Sequence, residues 1–310
     1  MQVLYALETG ALEGFEPEPA GKNKAAAAPK SLEEKVLGKK FSQTLALFNW
    51  QVWFLTEVAR YAESDARLRA GKHLPSEEDR NVPVKIAGNE LLWRILESDY
   101  YRDTMMQYKP QLLENGDWVK KIYRVLAQSQ QYQLYNAVEG RNKKQEKEIM
   151  DFIYHELMLC NEDWVAFAEE LFTNWDDDAE MLQQIMASFL SKPGVFSAAA
   201  MLDEEKQKFG FNLVASVRDR KNYLESIIQP KLKNWDADRL ALLDEIIMHM
   251  GIAEFLYFET IPPKVTINEY IDIAKAYSTE QSGQFINGIL DSVRKDLERN
   301  GDLKKVAFKK

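Results

Sequence analysis

Residues 238–258 constrain what this chain can fold into more than any other segment. Wound as a helix, they place Leu243, Ile246, Ile247, Met250 and Ala253 on one face, and Leu242, Met248, Ile252 and Phe255 on others. A helix that is apolar on most sides has to be surrounded by other elements rather than laid on a surface. Pro262-Pro263 ends it, because proline lacks an amide hydrogen and restricts the residue before it. The segment therefore predicts a helical bundle built around this one helix.

The remainder agrees with an all-α fold. Helical spacing of apolar residues predicts helices over 41–70, 84–108, 117–138, 144–160, 162–172 and 179–190, with Pro193-Gly194 as a stop. No stretch alternates as a strand would. Residues 14–31, with Pro17, Pro19, Pro29 and an alanine run, read as a linker. Met1 to Leu7 reads as the middle of a helix without a capping residue, so the natural reading frame is expected to extend upstream and to encode several basic residues. Asn174-Trp175-Asp176 returns at residues 234–236, which is too short to establish a repeat.

With 40 basic against 49 acidic residues, the formal charge is −9. That excludes coating of nucleic acid by bulk charge, and any RNA contact has to come from a local patch. Cys160 is the only cysteine, so neither an intrachain disulfide nor a paired-thiolate metal site can form. A single thiol suits a reducing cytosol. No apolar run of membrane-spanning length and no signal-peptide pattern is present, and a cytoplasmic location is expected.

After the double proline, Thr266 and Glu269 have the spacing of a capping box, with Val265 and Tyr270 placed for a hydrophobic staple. Ser278 and Gln281 have the spacing of a second box. Phe285, Ile286, Ile289, Leu290, Val293 and Leu297 trace the apolar face of the helix that follows. Gly288 lies inside that helix at a cost of roughly 1 kcal/mol against alanine, which predicts a neighbouring helix packed closely on it.

These segments carry a family resemblance. Gln2-Val3-Leu4-Tyr5, the run 244–255, Ile261-Pro262, Lys264-Val265, Ile267-Asn268-Glu269, Ala274-Lys275 and Phe285-Ile286-Asn287-Gly288-Ile289-Leu290-Asp291 resemble, in order and spacing, the NusB family of transcription antitermination factors. The match is most specific over 235–291. Residues 14–201 do not fit the short family pattern and look like the large helical insertion of Bacteroidetes-type members. The implied division is 1–13 as the first NusB-like helix, 14–31 as linker, 32–205 as helical insertion, 206–300 as the carboxy-terminal bundle and 301–310 as a basic tail.

The resemblance implies two small helical bundles that bind NusE, a ribosomal protein, and with it a boxA element of single-stranded nascent ribosomal RNA, loading the antitermination complex onto RNA polymerase. Tyr5 and Asp244 match positions that contact NusE. Gln281, Gln284 and Phe285 match positions near the RNA, and exposed Lys264 is a candidate phosphate contact. By periodicity alone Phe285 reads as core. The alternative function is a NusB-fold module that binds proteins without significant RNA binding. Three departures bear on RNA: the family's arginine-rich amino-terminal motif is missing, His249 stands where members usually have arginine, and Gln281 replaces a common acidic residue. Arg294, Lys295, Arg299, Lys304, Lys305, Lys309 and Lys310 supply other basic character near the carboxy terminus.

Enzyme and metal motifs fall short. His155-Glu156 lacks the second histidine of a zinc-protease helix, and Glu245 precedes His249 by four residues where the carboxylate-bridged motif of helical bundles uses three. Asp176-Asp177-Asp178 lacks the alternating ligands of a calcium loop and suits a helix start. There is no GxSxG, P-loop or GxGxxG, and the glycine-rich cofactor loop of RNA methyltransferases that carry NusB-like domains is missing. No catalytic residue, cofactor or metal is expected. The tryptophans, including Trp50, Trp53, Trp93 and Trp164, are expected in the core.

Overall fold

The structure is a computed structural model that describes residues 1–11, 31–113, 115–197, 201–234 and 241–306. The expected linker lies outside these residues apart from Ser31. So do Trp235 and Asp236 of the recurring tripeptide, and Lys309 and Lys310 of the tail.

Among the described residues all regular structure is helical. The first helices are α1 (Gln2–Glu8), α2 (Leu32–Ala70), α3 (Glu77–Arg80), α4 (Glu90–Glu97), α5 (Asp99–Tyr108), α6 (Trp118–Gln128), α7 (Gln130–Ala137) and α8 (Lys143–Phe152). They are followed by α9 (Glu162–Leu171), α10 (Trp175–Ser191), α11 (Glu204–Asp219), α12 (Lys221–Ile228), α13 (Leu242–Tyr257), α14 (Pro263–Tyr277) and α15 (Glu280–Asn300). No helix of the described residues is long and apolar enough to cross a membrane. The chain forms two compact units, Met1–Lys39 with Glu204–Lys310, and Lys40–Asp203.

The first unit is organised on α13. Every residue from Ile246 to Phe255 is buried, because α1, α11, α12, α14 and α15 all pack against it. The apolar residues on its several faces each meet a different neighbour, which is why a one-faced pattern is missing. Among its buried polar groups, Glu254 accepts from Tyr270 Oη at 3.0 Å, and burial raises the Tyr270 hydroxyl far above its usual pKa. Lys305 Nζ donates to the carbonyls of Glu254 (3.0 Å) and Phe258 (2.7 Å) at the carboxyl end of α13, where a helix leaves carbonyls unsatisfied. The first turn of α2 joins this unit through buried Val36 and an ion pair of Glu33 with Arg218 of α11 at 3.0 Å.

The second unit has an aromatic core. Trp50 stacks on Trp164 with centroids 5.3 Å apart, and Trp164 meets Trp175 edge-on at 5.7 Å. Trp50 Nε1 donates to Asn115 Oδ1 at 2.7 Å, so the buried indole keeps a partner. Glu146 of α8, 1% exposed, accepts from the Glu90 backbone amide (2.6 Å), Tyr135 Oη (2.9 Å) and Arg141 Nη1 (3.1 Å). After α8 the chain widens into a π-helix over Ile153–Leu159 that turns Ile153, Tyr154, Leu157 and Met158 into the core.

Several sequence expectations are corrected. The helix over 84–108 is broken at Ser98 and that over 117–138 at Ser129, each serine hydroxyl accepting an amide of the next helix, from Tyr101 at 3.2 Å and Tyr132 at 3.1 Å. Trp93 is not core: it is 48% exposed, and its Nε1 donates to the Ala87 carbonyl. The Thr266–Glu269 capping box does not form, because α14 already starts at Pro263; Thr266 is buried one turn in and Val265 is 44% exposed. The Asp176–Asp178 run does open a helix, α10.

Candidate nucleic-acid interface

The last helix, α15, is positioned by its first turn. Thr279, rather than Ser278, is the cap: its Oγ1 accepts from Ser282 N at 3.1 Å. Ser278 and Ser282 turn instead to Asp244, whose carboxylate accepts from Ser278 Oγ at 2.8 Å and from Ser282 Oγ at 2.9 Å. Asp244 is 6% exposed. One buried carboxylate at the start of α13 thus fixes the α14–α15 junction. Ile286, Ile289, Leu290, Val293 and Leu297 then face the core as their spacing predicts.

The other side of α15 presents a groove of about 690 Å³ lined by Gln281, Gln284, Phe285, Gly288, Ile289 and Ser292, with Lys231 from the 3-10 turn Gln229–Asn234. Gln281, Gln284 and Gly288 are exposed, and Phe285 is half-buried with one side against the core. The first four of these residues recur at 0, 3, 4 and 7, a single helical stripe. A Cβ at Gly288 would meet nothing within 4 Å, so the close helix packing expected there is absent. Gly251 of α13 is tight against α15 instead, since a Cβ there would stand 2.9 Å from Leu290 Cδ2.

Charge around the groove is largely paired. The Lys231 ammonium contacts the Asp296 carboxylate and holds that carboxyl below its usual pKa. Arg294 pairs with Asp291 (2.7 Å) and Glu298 (2.6 Å), and Lys295 with Asp291 (2.7 Å). Much of the basic character expected near the carboxy terminus is therefore spent on α15 itself.

The remaining sequence candidates lie apart. Lys264 is exposed in the first turn of α14 and does not line the groove. Tyr5 on α1 is 44% exposed. Lys231 escaped the sequence reading because no periodicity links a residue of a short 3-10 turn to a helix that begins 49 positions later.

A profile of the NusB family matches residues 166–295, beginning within α9 and running to the last turns of α15. The transcription antitermination protein NusB of Methylacidiphilum infernorum is 47% identical over 98 residues, which are 32% of this chain and 68% of that protein. The chain belongs to the NusB family. The NusB proteins of Chloroherpeton thalassium (38% identical over 112 residues, 36% of this chain and 53% of that one) and Salinibacter ruber (37% over 103 residues, 33% and 64%) are further relatives. For these two, the matched chain spans less than two thirds of the relative's length. Among solved structures, NusB of T. maritima is 27% identical, over 43% of this chain and 84% of that one, with a TM-score of 0.30.

Proposed function

We propose that this protein is a transcription antitermination factor, not an enzyme, that binds NusE and a boxA-like single-stranded RNA as part of the antitermination complex on RNA polymerase. The observation that carries the RNA half is the groove of α15, where Gln281, Gln284 and Phe285 meet around the open Gly288. Single-stranded RNA is read by stacking splayed bases on aromatic faces and by hydrogen bonds to their edges. Phe285 offers the face, the two glutamines carry amide donors and acceptors, and Gly288 leaves room for close approach. Lys264 supplies positive charge beyond the rim, where Lys231 is paired with Asp296.

For the partner, Tyr5 offers an exposed ring. Asp244 is engaged by two serines, so its contribution to NusE binding runs through the junction it holds. The chain's charge of −9 and the paired cations of α15 favour the second reading, a module that binds protein alone.

The test is fluorescence anisotropy with a labelled boxA-like RNA, with and without NusE of the same organism, at stepped salt. Phe285→Ala is expected to weaken RNA binding by about 1–3 kcal/mol, the range for one stacked base. Lys264→Ala is expected to lower the salt slope by about one unit. Tyr5→Ala is expected to weaken NusE binding by at least about 1 kcal/mol. NusE binding without RNA binding would establish the protein-only module, and loss of neither ligand's affinity in these variants would reject the assignments.

A further inference from the structure

A second cluster, away from the α15 groove, has the composition of a metal site. Glu245 and His249 stand four residues apart on α13, hence on one face, and Glu225 reaches the same point from α12. One ligand atom from each of the three lies within 4.8 Å of the others. We propose that Glu225, Glu245 and His249 bind a divalent transition-metal ion of the zinc class, clamping α12 to α13.

Two further observations support a ligand here. His249 is 3% exposed, and its Nε2 is buried without a hydrogen-bond partner. A buried polar atom left unsatisfied is costly, and a metal ion is one group that satisfies an imidazole lone pair. His249 and Glu245 also line a cavity of about 130 Å³ with Glu8, Arg218 and Lys221. Second, the charge there is unbalanced. Lys221 Nζ lies 2.6 Å from Glu8 and 3.9 Å from Glu225, so one ammonium serves three carboxylates once Glu245 is included. Arg218 does not correct this, since its guanidinium is engaged by Glu33 and Asp219.

The donor set selects the ion. One imidazole nitrogen with two carboxylates suits zinc, cobalt or nickel, whereas calcium and magnesium prefer an all-oxygen shell. Four-coordinate ligands at zinc distances stand about 3.5 Å from one another, and the two half-buried glutamates have the rotamer freedom to close that far. Lys221 keeps Glu8 as its nearer partner when Glu225 turns to the ion. The spacing of Glu245 and His249 on one helix is that of the two histidines of a zinc-protease helix.

The experiment uses the full chain after dialysis against a chelator. Calorimetric titration with zinc chloride is expected to show one ion per chain, and cobalt is expected to give visible d–d absorption of a low-symmetry site. Glu225→Gln and His249→Asn should each weaken zinc at least tenfold, while His73→Asn and His155→Asn should leave it unchanged. Excess zinc should raise the thermal midpoint of the parent chain and not that of Glu225→Gln. Circular dichroism checks the fold; if His249→Asn does not fold, Glu225→Gln and Glu245→Gln carry the test. No zinc binding, or binding that survives Glu225→Gln and Glu245→Gln, overturns the proposal.

Discussion

The Cβ that Gly251 lacks would stand 2.9 Å from Leu290 Cδ2, so α13 and α15 touch where one of them has no side chain. Leu290 is fully buried and Tyr270 Cδ2 closes the same spot at 3.3 Å. Alanine there forces a shift in a filled core, at about 1–3 kcal/mol, against about 1 kcal/mol regained in helix propensity. Gly288 is the opposite case, with open space around it. Gly251→Ala is expected to lower stability by about 1 kcal/mol net and Gly288→Ala to raise it by up to about 1 kcal/mol. A rise in the urea midpoint for Gly251→Ala would contradict the first assignment, and a fall for Gly288→Ala the second.

Asp244 is expected to matter to folding before it matters to any partner. Asp244→Ala leaves the Ser278 and Ser282 hydroxyls without their shared acceptor and should cost about 1–3 kcal/mol. A double-mutant cycle with Ser282→Ala should show coupling of at least about 0.5 kcal/mol. Additive effects in denaturant melts would mean that the carboxylate does not hold the junction.

In the second unit, Glu146 ties α8 to the start of α4, to Tyr135 of α7 and to Arg141. Removing one partner of a buried charge pair leaves the other uncompensated, at about 3–5 kcal/mol. Arg141 is one-third exposed, so Glu146→Ala is placed at the lower end, about 3 kcal/mol, with Glu146→Gln milder because it still accepts a hydrogen bond. Hydrogen exchange should show the loss in α4 and α8. Unchanged protection there would count against this network.

Asn115 is the acceptor for the Trp50 indole and in turn donates to the Leu113 carbonyl at 2.8 Å. Asn115→Ala should destabilise by about 1–3 kcal/mol, whereas Trp50→Phe should cost mainly packing volume and make Asn115→Ala less harmful. Thermal melts of the two single variants and the double variant decide this.

How much of the fold could be read varies with the kind of signal. The carboxyl ends of α10 and α13 were legible to within one residue, because Pro193-Gly194 and Pro262-Pro263 are local marks, although α10 starts four residues before its expected position. The breaks at Ser98 and Ser129 were not, since apolar spacing continues through each of them and a serine hydroxyl either caps a helix or faces solvent according to its backbone. The two expected capping boxes failed for a related reason. Thr266 and Ser278 have the right spacing, but Pro263 starts α14 early and Asp244 draws Ser278 and Ser282 away from that role.

By itself the sequence determined that the chain is helical, that α13 is enclosed on most sides, and which family its carboxy-terminal segments resemble. Each of these rests on local spacing or on ordered short segments, which survive without three-dimensional information. Only the tertiary structure decided that Gly251 is tight and Gly288 open, that Lys231 joins Gln281, Gln284 and Phe285 at one groove, and that Glu225 meets Glu245 and His249. The physical reason is the same in all three cases: periodicity fixes which face of a helix a residue occupies, while the neighbour that face meets depends on packing between helices far apart in the chain.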